Sequence, residues 1–216
     1  MATSPLPIHH HHPASGPDRR ALQARAVLLA RVGLAWHVAE AAIAIVAGVV
    51  ASSVALIGFG ADSLIEVVAG VVLLWRFGTA HPEAERRAQQ LIAASFLVIA
   101  AYVGFEAVHG LVDTHRPDVS VVGIVLSAFT VVTMPLLARA KAANARRLHS
   151  SATASEARQT TICGYLSGAL LVGLVANAAA GWWWADPIAA LVIAAACVYE
   201  ARGAWRGEAC CTGGCP

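Results

Sequence analysis

Charged side chains are scarce in this sequence. Asp, Glu, Lys and Arg together make up 13% of its 216 residues, whereas 58% of the residues are hydrophobic. An average soluble domain contains about 25% charged residues. The scarcity therefore argues against a soluble domain, and it offers no basis for a nucleic-acid partner. We predict a membrane protein whose main surroundings are the lipid bilayer.

The sequence also lacks the marks of an enzyme and of a cleavable signal peptide. It has no H-E-x-x-H motif and no nucleophile next to a base, so we expect neither enzymatic activity nor a prosthetic group. Met1–Asp18 is polar and rich in Pro, and a small-residue cleavage site is not evident. We therefore expect the first hydrophobic helix to act as its own insertion signal.

Long apolar stretches separated by short polar ones indicate transmembrane helices. A bilayer core needs about 20 apolar residues per helix, and residues 21–206 hold six such stretches. We predict an all-α membrane protein with one domain of six transmembrane helices. The predicted helices are Ala21–Val50, Ser53–Phe77, Ala88–Val112, Val119–Ala143, Ser155–Ala180 and Asp186–Trp205.

Two polar loops and two tails complete the predicted organisation. Glu83–Arg87 and Arg139–Ala154 are expected to be hydrophilic loops. Residues 1–20 are predicted to be a disordered tail, in which His9–His12 is either part of a purification tag or a native metal-binding run. Residues 207–216 form a second tail whose thiols either bind a soft metal or have no function. Its cysteines are Cys210, Cys211 and Cys215.

Basic residues are distributed unevenly between the two ends of the predicted helices. Fourteen of the fifteen Lys and Arg lie on one side of the six-helix arrangement, and only Arg116 lies on the other. Because cytoplasmic segments of membrane proteins carry the excess of Lys and Arg, we expect both termini in the cytoplasm. The predicted location is the cytoplasmic membrane.

Residues 36–75 contain four ionisable side chains in otherwise apolar surroundings: His37, Glu40, Asp62 and Glu66. A carboxylate at membrane depth costs at least ~2.5–3.5 kcal/mol on insertion scales, so such residues are rare and mark ion or proton paths. Counted at ~1.5 Å per residue from a turn near Ser52, all four lie ~15–22 Å deep. Three glycines in this region would let helices approach closely. They are Gly48, Gly58 and Gly60.

The depth of these groups favours a cation site. Three carboxylates and an imidazole in one dry layer are unfavourable unless a cation or protons neutralise them, and a divalent metal does this directly. The alternative is that the four groups are protonated and serve packing or hydrogen bonds to the backbone.

Helix 5 offers a second pair of candidate ligands, Gln159 and Cys163. Thiolate is a good ligand for zinc or cadmium, whereas an amide is a weak one. Alternatively, Cys163 is a small buried hydrophobic residue. Its depth fits the layer only if helix 5 is tilted or ends before Ala180. Cys197, in helix 6, is expected to be an isolated core residue.

At these residues the chain resembles the cation diffusion facilitators, a family of zinc, cadmium, iron and manganese efflux proteins. SVALIGFGADSLIE, residues 53–66, is similar to the family's second helix, and Asp62 and Glu66 occupy the positions of its metal-binding pair. Ala185–Ala190 is similar to the start of the family's sixth helix. Cys163–Leu174 is similar to its fifth helix after the second metal pair. With the six-helix topology, the resemblance spans about residues 25–206.

The resemblance implies a homodimer that exchanges metal for protons, with alternating access at a tetrahedral site made by helices 2 and 5. This sequence departs from the family in two ways. Its helix 5 pair, Gln159 and Cys163, has no carboxylate, which makes His37 and Glu40 plausible substitutes. The cytoplasmic metal-binding domain that usually follows helix 6 has no counterpart.

We interpret the chain as a secondary transporter that exports zinc or cadmium from the cytoplasm, by proton antiport. The expected partners are the metal ion, protons, the lipid bilayer and a second copy of the chain. Two rival interpretations remain: a membrane sensor or scaffold that binds metal without moving it, and a membrane hydrolase with a zinc ion. The expected metal ligands are Asp62, Glu66, Glu40, His37, Cys163 and Gln159.

Overall fold

Six helices form almost all of the chain that the computed structural model describes, which is residues 16–76, 82–114, 116–148 and 151–206. No strand occurs within these ranges. The predicted all-α class is therefore confirmed. The helices are α1 (Gly16–Ala51), α2 (Val54–Arg76), α3 (Pro82–Val112), α4 (Val121–Leu148), α5 (Ser151–Ala180) and α6 (Ala185–Arg206).

Five of the helices, all except α2, are long and apolar enough to cross a membrane. Only 33–39% of the residues in their most apolar windows are buried, so most of their hydrophobic surface faces outward. A soluble protein would not expose that much apolar surface. α2 has 23 residues, more than the ~20 that a crossing needs, and packs among α1, α3, α5 and α6. The protein is a multi-pass membrane protein.

The helices run alternately between two ends of the bundle. At one end, here called the turn end, Asp118 N–H donates to Ala51 O (2.9 Å), and Asn177 Nδ2 donates to Pro117 O (3.0 Å). At the opposite end, here called the terminal end, Asn144 Nδ2 donates to Leu22 O (3.0 Å). α1 therefore starts, and α6 finishes, at the terminal end.

A tight turn joins α1 to α2 at the turn end. Ser52 has a positive φ of 53°, Ser53 N–H donates to Gly48 O (2.9 Å), and Ser52 N–H donates to Val49 O (3.3 Å). These two bonds satisfy the last carbonyls of α1 in a Schellman motif. Ser53 Oγ then accepts from Leu56 N–H (3.1 Å), which caps α2. Two residues thus end one helix and start the next.

Asp186 fastens this turn to the first turn of α6. Ser53 Oγ donates to Asp186 Oδ1 (2.5 Å), and Ala55 N–H donates to Asp186 Oδ2 (3.4 Å). A carboxylate at the N-terminus of a helix accepts its free amides and complements the positive end of its dipole. The start of α2 is therefore held by a residue 133 positions away in sequence.

Close contact between α1 and α2 depends on glycine, as the sequence predicted. A Cβ added at Gly48 would lie 2.8 Å from the backbone nitrogen of Ile57, and one at Gly60 would lie 3.0 Å from that of Ile45. Gly58 faces α3 instead, where an added Cβ would lie 3.0 Å from Val103 Cγ1. Small residues let helix backbones approach in this way within membranes.

Four expected helix boundaries are wrong, because the helices continue past the apolar segments. α1 begins at Gly16, inside the expected tail, and α3 begins at Pro82, so Glu83–Arg87 is helical. α4 ends at Leu148 and α5 begins at Ser151, so most of the loop expected over Arg139–Ala154 does not exist. Ala, Arg, Lys and Glu are strong helix formers, and the chain there stays helical outside the hydrophobic core.

We expect Gly48→Ala to lower the free energy of unfolding by ~1–3 kcal/mol, because its methyl group would push against the α2 backbone. Gly110→Ala is the matched control, since nothing lies within 4 Å of a Cβ at Gly110. Reversible unfolding in detergent measures both. A Gly48→Ala protein as stable as the Gly110→Ala protein would show that the helices need no close contact there.

The side of the membrane that holds the terminal end stays a prediction from the charge distribution. Reporter fusions placed before Ala21 and after Pro216 should both report a cytoplasmic location. A fusion after Asp113, near the turn end, should report the opposite side and serves as the internal control. Termini reported on opposite sides would exclude an even number of spans.

Candidate metal centre

His37 and Glu40 face the interior of the bundle from α1. They lie three positions apart and so share one face of the helix, and both are buried. The outward-facing positions between them, Val38 and Ala39, are exposed on the apolar surface. His37 Nδ1 lies 3.2 Å from Glu40 Oε2. The apolar exterior thus leaves the bundle interior as the only place where these polar groups can find partners.

Three candidate ligands from three helices meet in this interior: His37 of α1, Glu66 of α2 and Cys163 of α5. One ligand atom from each lies within 4.8 Å of the other two, and all three residues are buried. His37 Nδ1 is 2.9 Å from Glu66 Oε2. We call these three residues the metal centre. Among the described residues, no other group of three or more His, Cys, Asp or Glu side chains is as close.

The turn end explains why the three residues meet at one depth. There, Asp118 bonds to Ala51, and its neighbour Pro117 bonds to Asn177, so the ends of α1 and α5 are held at the same level. His37 precedes Ala51 by fourteen residues and Cys163 precedes Asn177 by fourteen, which is ~21 Å of helix in each case. α5 ends at Ala180, as predicted, so of the two alternatives the earlier end does not apply. Its last turn simply projects beyond the turn of α1 and α2.

Glu40 is held beside the metal centre by side chains of three helices. Its Oε1 accepts from Thr130 Oγ1 of α4 (2.6 Å) and from Trp36 Nε1 of α1 (3.3 Å). Its Oε2 accepts from Ser63 Oγ of α2 (3.0 Å), and Cys163 Sγ lies 3.8 Å away. With most of its lone pairs engaged, Glu40 is fixed beside His37 Nδ1, the same ring nitrogen that faces Glu66, and it adds a negative charge next to the metal centre.

One oxygen of the metal centre lacks a hydrogen bond. Glu66 Oε2 is buried and has no hydrogen-bond partner within the described part of the chain. A ring nitrogen carries at most one hydrogen, so His37 Nδ1 cannot donate to both Glu40 and Glu66. A buried polar atom without a donor requires an explanation, and a bound cation is one. Imidazole, carboxylate and thiolate together form a donor set that suits zinc.

Asp62 does not join the metal centre, although it lies one turn from Glu66 on α2. Its carboxylate turns to α6, where Cys197 Sγ donates to Asp62 Oδ1 (3.6 Å). The expectation that Cys197 is isolated is therefore wrong, because the cysteine packs against α2 at that level. The structure separates the two acids predicted as a pair: Glu66 faces α1 and α5, and Asp62 faces α6.

The remaining predicted ligand on α5 is Gln159. Gln159 is half-buried on α5, one turn before Cys163, and the contacts described above form without it. The terminal runs are not among the described residues, so their predicted roles stay predictions. These are His9–His12, Cys210, Cys211 and Cys215.

Sequence reasoning missed the hydroxyl groups that hold Glu40. Ser63 had a signal, since it lies between Asp62 and Glu66 in an apolar helix. Thr130 had a weaker one: α4 carries hydroxyls at Ser127, Thr130 and Thr133, but only tertiary contact selects the one that faces Glu40, 90 residues away.

Comparison with known protein families gives one match over most of the chain. A family model described as a cation efflux transmembrane domain matches residues 30–206. These residues include all six helices except the first turns of α1, and they contain the whole metal centre. A search of curated proteins found no match to this chain.

Thr130→Val should weaken zinc binding by about 10–100-fold, because it removes the bond that fixes Glu40 beside His37 while keeping the side-chain volume. Thr133→Val is the matched control: Thr133 Oγ1 donates to Phe129 O of its own helix (2.9 Å). Isothermal titration calorimetry on the purified proteins measures the difference. If both variants bind zinc with the same affinity, Glu40 does not support the metal centre.

Proposed function

This chain belongs to the cation efflux family, whose members transport metal cations, and we propose that it exports zinc or cadmium from the cytoplasm in exchange for protons. The observation that carries the proposal is the metal centre, where three buried ligand types from three helices lie within 4.8 Å of one another. Members of the family are transporters, which agrees with the expectation that the chain is not an enzyme.

The donor set supports a soft or borderline transition metal as the cargo. Magnesium and calcium prefer shells made entirely of oxygen, and magnesium gives up its water only reluctantly. Thiolate and imidazole favour zinc and its heavier relative cadmium. Donor atoms around a tetrahedral zinc ion lie roughly 3.5–3.8 Å apart, so only side-chain movements are needed to close the centre around an ion.

Proton exchange follows from the chemistry of the same groups. A metal binds deprotonated thiolate, neutral imidazole and carboxylate, so its arrival releases whatever protons His37, Glu66 and Cys163 carry. When the metal leaves, protons can return and neutralise the buried carboxylates. The same residues can therefore hold the ion and the protons in turn, which is the basis of antiport.

The remaining parts of the proposal come from the family and from the charge distribution. We propose a homodimer in the cytoplasmic membrane, with both termini in the cytoplasm. Asp62, which faces Cys197, keeps its proposed role as a ligand in a different arrangement of the helices, as its match to the family's metal pair implies. The rival sensor or scaffold would bind metal at the same centre without moving it.

In proteoliposomes with an imposed proton gradient, we expect uptake of zinc and cadmium but not of magnesium or calcium. Glu66→Ala should abolish this flux and lower zinc affinity by at least about 10–100-fold. Substituting a residue that only supports a metal ligand already lowers affinity by that factor, and Glu66 is proposed to bind the metal directly. Fluorescent metal indicators inside the vesicles measure flux, and calorimetry in detergent measures affinity.

Glu106→Ala is the matched control, since Glu106 lies on α3, outside the metal centre. Wild-type zinc binding without any flux would favour the sensor or scaffold. Equal zinc affinity in the wild type and in Glu66→Ala would mean that the metal binds elsewhere, and the proposal would be wrong.

A further inference from the structure

A second buried ionic contact lies in the bundle, away from the metal centre. Lys141 Nζ of α4 donates to Glu156 Oε1 (2.8 Å) and to Thr160 Oγ1 (3.1 Å), both on α5. The side chain of Lys141 is 3% exposed and that of Glu156 is 18% exposed. The sequence predicts Lys141 both in the last residues of helix 4 and in the adjoining hydrophilic loop, and the structure places it in the helix, inside the bundle.

The Lys141 side chain points toward the middle of the bundle. Helical side chains lean toward the N-terminus of their helix, and α4 starts at the turn end. A lysine near the end of a transmembrane helix normally extends its ammonium outward to the interface. Here the ammonium extends inward and is held by a carboxylate and a hydroxyl group.

This ammonium lies on the terminal side of the metal centre, one helical turn away. A Cβ added at Gly33 would be 2.9 Å from Lys141 Nζ, and Gly33 precedes His37 by four residues on α1. On α5, Thr160 precedes Cys163 by three residues, a rise of ~4.5 Å. Two helices thus independently place the ammonium between the terminal end and the metal centre.

We propose that the Lys141 ammonium occupies an outer cation position on the route from the terminal end to the metal centre, and that a metal ion passes only when the Lys141–Glu156 pair separates. Glu156 and Thr160 then supply oxygen ligands to the passing divalent cation. This inference rests on the proposed function, since it assigns the route by which that cargo reaches the metal centre.

The chemistry of the position supports a cation. A carboxylate and a hydroxyl oxygen already hold one positive charge there, and an ion of the same sign can replace it without leaving the carboxylate unpaired. Asn144 Oδ1, on the same face of α4 and one turn nearer the terminal end, is buried and has no hydrogen-bond partner within the described residues. It provides a further oxygen at the start of the same route. An ammonium and a metal ion repel each other, so both cannot occupy the position at once.

The buried thiol of Cys163 reports access along this route. In metal-free protein, a small cationic methanethiosulfonate reagent should label Cys163 slowly, and Lys141→Gln or Glu156→Gln should speed labelling by at least about tenfold, because the pair no longer holds α4 to α5. Peptide mass spectrometry distinguishes Cys163 from the other cysteines. Glu156→Gln, at the more exposed partner, provides the test if Lys141→Gln fails to fold.

Two further variants distinguish an effect of the Lys141–Glu156 pair on labelling from an effect of a generally loosened bundle. Arg139→Gln removes a positive charge from an exposed position on the same helix. In this variant Cys163 should be labelled as slowly as in the wild type. Exchanging the partners, Lys141→Glu with Glu156→Lys, restores an ion pair and should return labelling toward the wild-type rate. Single variants that label at the wild-type rate overturn the proposal. An exchange variant that labels as fast as the single variants also overturns it.

Zinc protection distinguishes this inference from the proposed function. Zinc bound at the metal centre should slow the labelling of Cys163 in wild-type protein. If zinc gives no protection but the single variants still label faster, the outer position stands as an access barrier and the metal centre is wrong. If zinc protects and the single variants label like wild type, the metal centre stands and the outer position is wrong.

Discussion

The approach of two buried carboxylates to one histidine nitrogen is the constraint on which the rest of this bundle depends. Glu40 and Glu66 both lie within 3.2 Å of His37 Nδ1, at a depth where each carboxylate is costly. In a bilayer, polar groups depend on donors from the protein itself, both from their own helix and from its neighbours. Thr130 and Ser63 supply hydroxyl groups to Glu40, whereas Glu66 Oε2 receives none. The bundle thus supplies hydroxyl donors to Glu40, whereas the polar group that faces Glu66 Oε2 is His37 Nδ1, 2.9 Å away.

The turn end of the bundle makes this meeting possible. A helix delivers a side chain to a fixed depth only if its end is fixed, because each residue adds ~1.5 Å. The Schellman turn, the Asp186 bonds and the Asn177 bond fix three helix pairs at this end. Features that lie ~20 Å from the metal centre therefore determine whether its ligands align. This is a structural reason for the buried Asp186, which lies outside the metal centre and bonds the start of α2.

Sequence reasoning predicted the six helices, and three of its six candidate ligands lie together in the structure, because apolar runs and charges within them are local information. Apolar runs set the helix count, and a charge within such a run, as at Glu66, marks a site by its cost. The partners of these charges depend on tertiary contact. Asp62 and Glu66 share a helix face in sequence, yet the positions of α5 and α6 assign them to different neighbours. The inward position of Lys141 has a related cause. The polar end of α4 resembles a loop in composition, but its good helix formers continue the helix, and contact with α5 buries the lysine.

α5 contributes to both the metal centre and the outer position, through Cys163 and Glu156, and α4 has residues beside both. α4 contributes Thr130 to Glu40 and Lys141 to Glu156, three turns apart on one face. α4 packs most extensively on α5, and α1 packs most extensively on α2, where Gly48 and Gly60 bring the backbones together. A tightly packed pair moves more readily as a unit than as separate helices.

A shift of α4 and α5 against α1 and α2 would keep Lys141 bound to Glu156 but separate Cys163 from His37 and Glu66. Opening the outer position therefore requires movement within the α4–α5 pair, whereas opening the metal centre requires movement between the pairs. Two barriers that open by different movements can open at different times, which is the physical requirement for moving an ion across a membrane without leaving a continuous path.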